Sequence, residues 1–143
     1  TPHLRALGNW ASDPVAVAEN LLGTPYLWGG NSRAGIDCSG LVQLAYGLCG
    51  VAIPSDSDLQ QTTGHPVAEG VEQRGDLIFW KGHVGIMRDA ETLLHAAGAA
   101  DVLDDDLRLE RGAHGLGKDA GDRIRGAPGS NGTMMVMTLL GYC

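Results

Sequence analysis

Cys38 stands in the run Asp37-Cys38-Ser39-Gly40, where a polar stretch gives way to Leu41, Val42, Leu44, Ala45 and Leu48 at helical spacing. A cysteine in the first turn of a helix meets unpaired N–H groups and the positive end of the helix dipole. Both favour thiolate over thiol, so a depressed pKa is expected for Cys38. The thiolate is the attacking form of cysteine. Two histidines, His83 and His95, follow in segments of strand character. Nucleophile, base and a group that orients the base, drawn from three elements, are what acyl transfer through a thioester requires. Spacing alone supports a second reading equally well: a small buried cysteine and two hydrogen-bonded core histidines.

The remaining candidates are weaker. Three cysteines are an odd number, against a disulfide framework. Cys38 and Cys49 lie about 16 Å apart if one helix carries both, too far for a disulfide. Cys143 is the final residue. A zinc site from Cys38, Cys49, His83 and His95 lacks any CxxC or HxxxH pair, so no metal and no cofactor are expected. His65-Pro66 and His114 sit in turn-like surroundings and read as surface. Tyr26 and Trp28 read equally as core aromatics, Trp28 more so.

The elements that must position these groups follow from local signals. Asp13-Pro14 is a helix start, with Asp as cap and Pro at the first helical position, and the helix runs through Val15, Val17, Ala18, Leu21 and Leu22 to Gly23. Tyr26 to Gly30 is a short apolar segment, 31–37 a polar loop, and the helix from Cys38 stops at Gly50. Pro54 to Gln61 is a turn and a short helix capped by Ser55 or Asp56. Leu77 to Trp80 and His83 to Met87, joined by Lys81-Gly82, form a hairpin, and Leu93 to Ala96 a third strand. Asp104-Asp105-Asp106 reads as a solvated loop or helix start. From Gly112 to Gly132, seven of 21 residues are glycine, which implies a flexible loop, and Thr133 to Leu140 can close the sheet. Helices precede an antiparallel meander, the order of an α+β domain.

At 143 residues there is room for one domain, with residues 1–12 as lead-in or linker and 13–143 as its body. A net charge of -7 with ten Lys and Arg and no basic run makes nucleic acid an unsuitable partner. No run of apolar residues is long enough for a membrane span, and no signal-peptide pattern begins the chain.

Five blocks in order raise the catalytic reading above the structural one: Tyr26-Leu27-Trp28-Gly29-Gly30; Gly35-Ile36-Asp37-Cys38-Ser39-Gly40-Leu41-Val42; Arg74-Gly75-Asp76-Leu77-Ile78-Phe79-Trp80; His83-Val84-Gly85-Ile86; and Leu94-His95-Ala96. Over about Asp13 to Ala97 the chain resembles the NlpC-type papain-like cysteine peptidases of bacterial cell walls. The resemblance implies a papain-like α+β fold and hydrolysis of peptidoglycan stem peptides, at the γ-D-glutamyl bond to the diamino acid. It implies Cys38 as nucleophile, His83 as base and His95 as the residue orienting His83. It also implies Tyr26, Asp37 and Ser39 as substrate-binding residues, the last two gripping the free amine of an N-terminal L-alanine. Helix capping is the alternative role for Asp37 and Ser39.

The implied partner is a stem peptide or muropeptide. The lead-in resembles the end of a Src-homology-3-like domain that often precedes such domains, and similar chains occur in phage-like tail assemblies. The sequence leaves the place of action open, and the resemblance implies the periplasm and cell envelope or a phage-like particle. Two departures stand out: Ser55 follows Pro54 where the family often carries Arg, and a long Gly- and Asp-rich stretch follows Ala97. An amidase or acyltransferase on the same fold, and a catalytically silent peptidoglycan-binding module, are the rival readings.

Overall fold

A computed structural model describes residues 6–68, 70–80, 82–97, 102–106 and 135–138. The expected Gly-rich loop at 112–132, His114 and Cys143 lie outside the described residues.

Helix α1 spans Pro14–Glu19, with the Asp13 carboxylate accepting from the Val15 N–H at 2.9 Å. It ends earlier than its apolar pattern suggested, and tight turns then lead to Gly23. The expected polar loop holds two short strands, β1 (Asn31–Ser32) and β2 (Gly35–Ile36), paired antiparallel. Helix α2 spans Cys38–Gly47, and α3 is a single turn, Ser57–Gln60. Asp56 occupies the α3 cap position but makes no side-chain capping bond.

The main sheet consists of β3 (His65–Val67), β4 (Leu77–Trp80), β5 (His83–Met87), β6 (Thr92–Ala96), β7 (Val102–Asp106) and β8 (Met135–Thr138). Its order is β3-β8-β4-β5-β6-β7, antiparallel throughout. The closing strand thus enters between β3 and β4 rather than at an edge. Trp80 faces His83 across the hairpin, whose turn contains Gly82 at φ +72°.

Two expectations are corrected. Asp104–Asp106 is neither loop nor helix start; it belongs to β7 and pairs with β6 from Thr92↔Asp106 to Ala96↔Val102. Aspartate disfavours strands weakly, and a full ladder to a neighbour overrides that preference. The start of β7 is also anchored, since Val102 N–H donates to Thr24 O at 2.9 Å. His65-Pro66 is exposed as expected, but it lies in edge strand β3, where proline is tolerated.

Alternation along the strands divides the core. Leu77, Phe79, Val84, Ile86, Leu94 and Ala96 pack with Val15, Ala18, Leu41, Val42 and Ala45 of the helices. Ile78, Met87 and Leu93 form a second cluster, against which Val67 and Trp80 pack. The Tyr46 hydroxyl donates to Gly75 O, tying α2 to the turn before β4. Helix α2 lies across β5 and β6, bringing its N-terminus beside the start of β5.

Candidate active site

Cys38 is the first residue of α2, and Asp37 is its cap. One Asp37 oxygen accepts from Gly40 N–H at 2.7 Å and from the Ser39 hydroxyl at 3.2 Å; the other accepts from Gly29 N–H at 2.8 Å. The carboxylate therefore ends the helix and also pins the Tyr26–Gly30 segment beside it. The same contact depends on Gly40, because a Cβ there would fall 2.1 Å from Gly30 O.

The cysteine is buried, and this decides its acidity. Burial pushes the Cys38 thiol above its ordinary value and the nearby Asp37 charge adds to that, while the backbone amides of Val84, Ser39 and Cys38 act in the opposite sense. The depressed pKa expected from the helix terminus is thus corrected: desolvation outweighs the amides. Among the groups described, a base is needed to take the proton.

His83 and His95 are joined by a 2.9 Å contact between His83 Nε2 and His95 Nδ1. With a proton on His83 Nε2, that atom donates to His95 and Nδ1 of His83 carries the lone pair. His95 is 3% exposed, so its ring is held by its surroundings. Gly85 leaves the space: a Cβ there would lie 2.7 Å from Leu93 Cδ1 and 3.4 Å from the His95 Cβ.

A cleft of about 710 Å³ is lined by Cys38 and His83 together with Tyr26, Asp37 and Ser39. Five of the six site residues expected from sequence thus share one cavity, and the sixth, His95, bonds His83 from behind. Tyr26 is half-buried, and burial, then the charges of Cys38 and Asp37, push its hydroxyl above the ordinary value. It stays a neutral donor. Asp56 and Asp58 also line the cleft, and no lysine or arginine among the described residues does. Among the described residues, no group of His, Cys, Asp and Glu is arranged to hold a metal ion.

Sequence reasoning missed two contributors. Trp28, expected in the core, is 84% exposed at the cleft rim. The turn at Gly29 directs it outward, and a lone aromatic beside glycines carries no burial signal. Gln60 is fully buried, and its Nε2 donates to Ser39 O and Pro54 O, both at 2.9 Å. It ties the first turn of α2 to the α3 wall, and nothing in the polar run around it marks that role.

With this geometry in hand, comparison with known proteins is informative. The NlpC/P60 family profile matches residues 23–110. The chain is 42% identical over 86 residues to dipeptidyl-peptidase 6 of Lysinibacillus sphaericus, covering 58% of this chain and 31% of that protein. It is 36% identical over 94 residues to a gamma-D-glutamyl-L-lysine dipeptidyl-peptidase of Bacillus subtilis, covering 60% and 32%. The chain therefore spans about a third of the length of these curated relatives. Among solved structures, the NlpC/p60 domain of the peptidoglycan hydrolase SagA superposes with a TM-score of 0.63 at 30% identity, covering 68% of this chain and 89% of that one. The matched residues contain the helix-start cysteine, both bonded histidines and all the residues that line the cleft, and the chain belongs to the NlpC/P60 family.

Proposed function

We propose that this chain is a cysteine peptidase that hydrolyses peptidoglycan stem peptides at the γ-D-glutamyl bond to the diamino acid. The observation that carries the reading is the His83–His95 hydrogen bond at the edge of the cleft lined by Cys38. His83 accepts the thiol proton, and the Cys38 sulfur attacks the amide carbonyl. The tetrahedral oxyanion takes hydrogen bonds from the Cys38 N–H, and the neutral Tyr26 hydroxyl is the second donor within the cleft. Protonated His83 gives its proton to the departing amine, leaving a thioester. Water, deprotonated by His83, then hydrolyses the thioester and returns Cys38 to the thiol. His95 holds the ring of His83 throughout.

The carboxylates of Asp37, Asp56 and Asp58 make the cleft suited to an ammonium group, with Asp37 and Ser39 binding the free amine of an N-terminal L-alanine. The reading is tested by digesting purified muropeptides and synthetic stem peptides, free and N-acetylated, with mass spectrometry of the products. Cleavage after γ-D-glutamate, lost in Cys38→Ala and slower on the acetylated peptide, is the expected result. Release of an amide nitrogen without peptide cleavage would replace the reading with an amidase, and binding without any product would replace it with a silent module.

A further inference from the structure

The Nε2 partner of His83 is a second imidazole, which orients the ring but brings no negative charge to it. The titratable groups of other elements that share the cleft with His83 include Cys38 and Asp37 at the start of α2, Tyr26 ahead of β1, and Asp56 and Asp58 at the start of α3, and His95 on β6 bonds its ring. Asp37 is engaged by the Gly29 and Gly40 amides and the Ser39 hydroxyl. Yet the reaction requires His83 to carry a positive charge beside a buried sulfur. Trp80 meets that need. Its ring centroid lies 4.6 Å from that of His83 at an interplanar angle of 61°, and 6.0 Å from that of His95 at the same tilt. Trp80 sits directly across the hairpin from His83 and is braced by the Ile78, Met87 and Leu93 cluster.

We propose that Trp80 is a positioning residue that stabilises the protonated imidazole of His83 through its π-system and covers the His83–His95 hydrogen bond. This rests on His83 being the proton acceptor of the proposed peptidase. An aromatic face within about 6 Å attracts a cation, more strongly when water is excluded. An edge-to-face pair also directs the electropositive rim of one ring at the electron-rich face of the other. The sheet register makes the pairing rigid, so the ring needs no reorganisation when the proton arrives.

The test needs no turnover. In Cys38→Ala protein with isotope-labelled histidine, NMR follows the protonation of the His83 ring. Trp80→Leu should lower that midpoint by about half a unit to one unit, the size of a cation–π interaction of this kind. A ring-fluorinated tryptophan at position 80 keeps the shape and weakens the π-face, so it should shift the midpoint in the same direction without loss of melting temperature. In the Cys38 protein the same replacements should lower kcat more than they change KM, and Trp80→Phe should restore part of the loss.

An unchanged midpoint in the fluorinated protein overturns the proposal, whatever happens to kcat. A melting temperature that falls in step with activity while the midpoint stays put assigns Trp80 to packing alone, and also overturns it. Failure of the peptidase reading would instead show as absent cleavage by the unmodified protein. The histidine titration remains informative in that case.

Discussion

Asp37→Asn looks like a mild change, but the hydrogen bonds around Asp37 make it a disruptive one. The carboxylate accepts from Gly40 N–H at 2.7 Å, Ser39 Oγ at 3.2 Å and Gly29 N–H at 2.8 Å, using both oxygens. Asparagine has one oxygen and one NH₂. If the oxygen keeps the helix cap, the NH₂ meets Gly29 N–H, donor against donor; if the amide flips, α2 loses its cap. An orphaned amide costs about 1–3 kcal/mol, and a lost cap about 1 kcal/mol. Gly29 is exposed, so water can serve its N–H and the lower end applies. We expect a loss of about 1–2 kcal/mol, read as a lower urea midpoint at unchanged slope. Asp37→Ala, which removes the cap as well, should cost more. Activity separates structure from recognition: loosening Gly29 slows free and N-acetylated stem peptides alike, whereas losing the charge slows only the free peptide. The ratio of the two kcat/KM values therefore reports amine binding. An Asn variant as stable as the parent within about 0.5 kcal/mol would refute the argument that the carboxylate holds both segments.

Three further outcomes are expected. Gly40→Ala places a Cβ 2.1 Å from Gly30 O and 3.0 Å from Asp37 Oδ1, so it should destabilise by at least the 1–3 kcal/mol typical of overpacking and lower peptidase activity; a melting temperature equal to the parent's would show that α2 can shift freely. Because burial raises the Cys38 thiol, iodoacetamide labelling of His83→Ala should climb only at pH above the ordinary thiol range, and the parent should label faster at neutral pH through proton transfer to His83. The raised thiol pKa also makes folding favour the protonated cysteine, so its stabilising contribution is present below the unfolded pKa and lost as pH rises through the folded one; equal labelling profiles for the two proteins would refute the coupling.

What local sequence determines here is the element that presents each candidate site residue. Asp13-Pro14 and Asp37 begin helices because a cap acts within three residues. The turn containing Gly82 sets His83 at the head of a strand, and the apolar alternation from Leu77 to Ala96 yields three adjacent strands. The ordered motifs around Cys38, His83 and His95 carried the family without any coordinate. Tertiary structure decided the rest, because it depends on partners distant along the chain. The Asp-rich run becomes β7 only because β6 offers a free edge and Thr24 an anchor. Trp28 faces the cleft because Asp37, eight residues after Gly29, holds that turn in place. Gln60 is buried because α3 folds over Ser39. The thiol of Cys38 is raised rather than lowered because the sheet covers it, and desolvation is a property of everything packed around a group rather than of its neighbours in sequence.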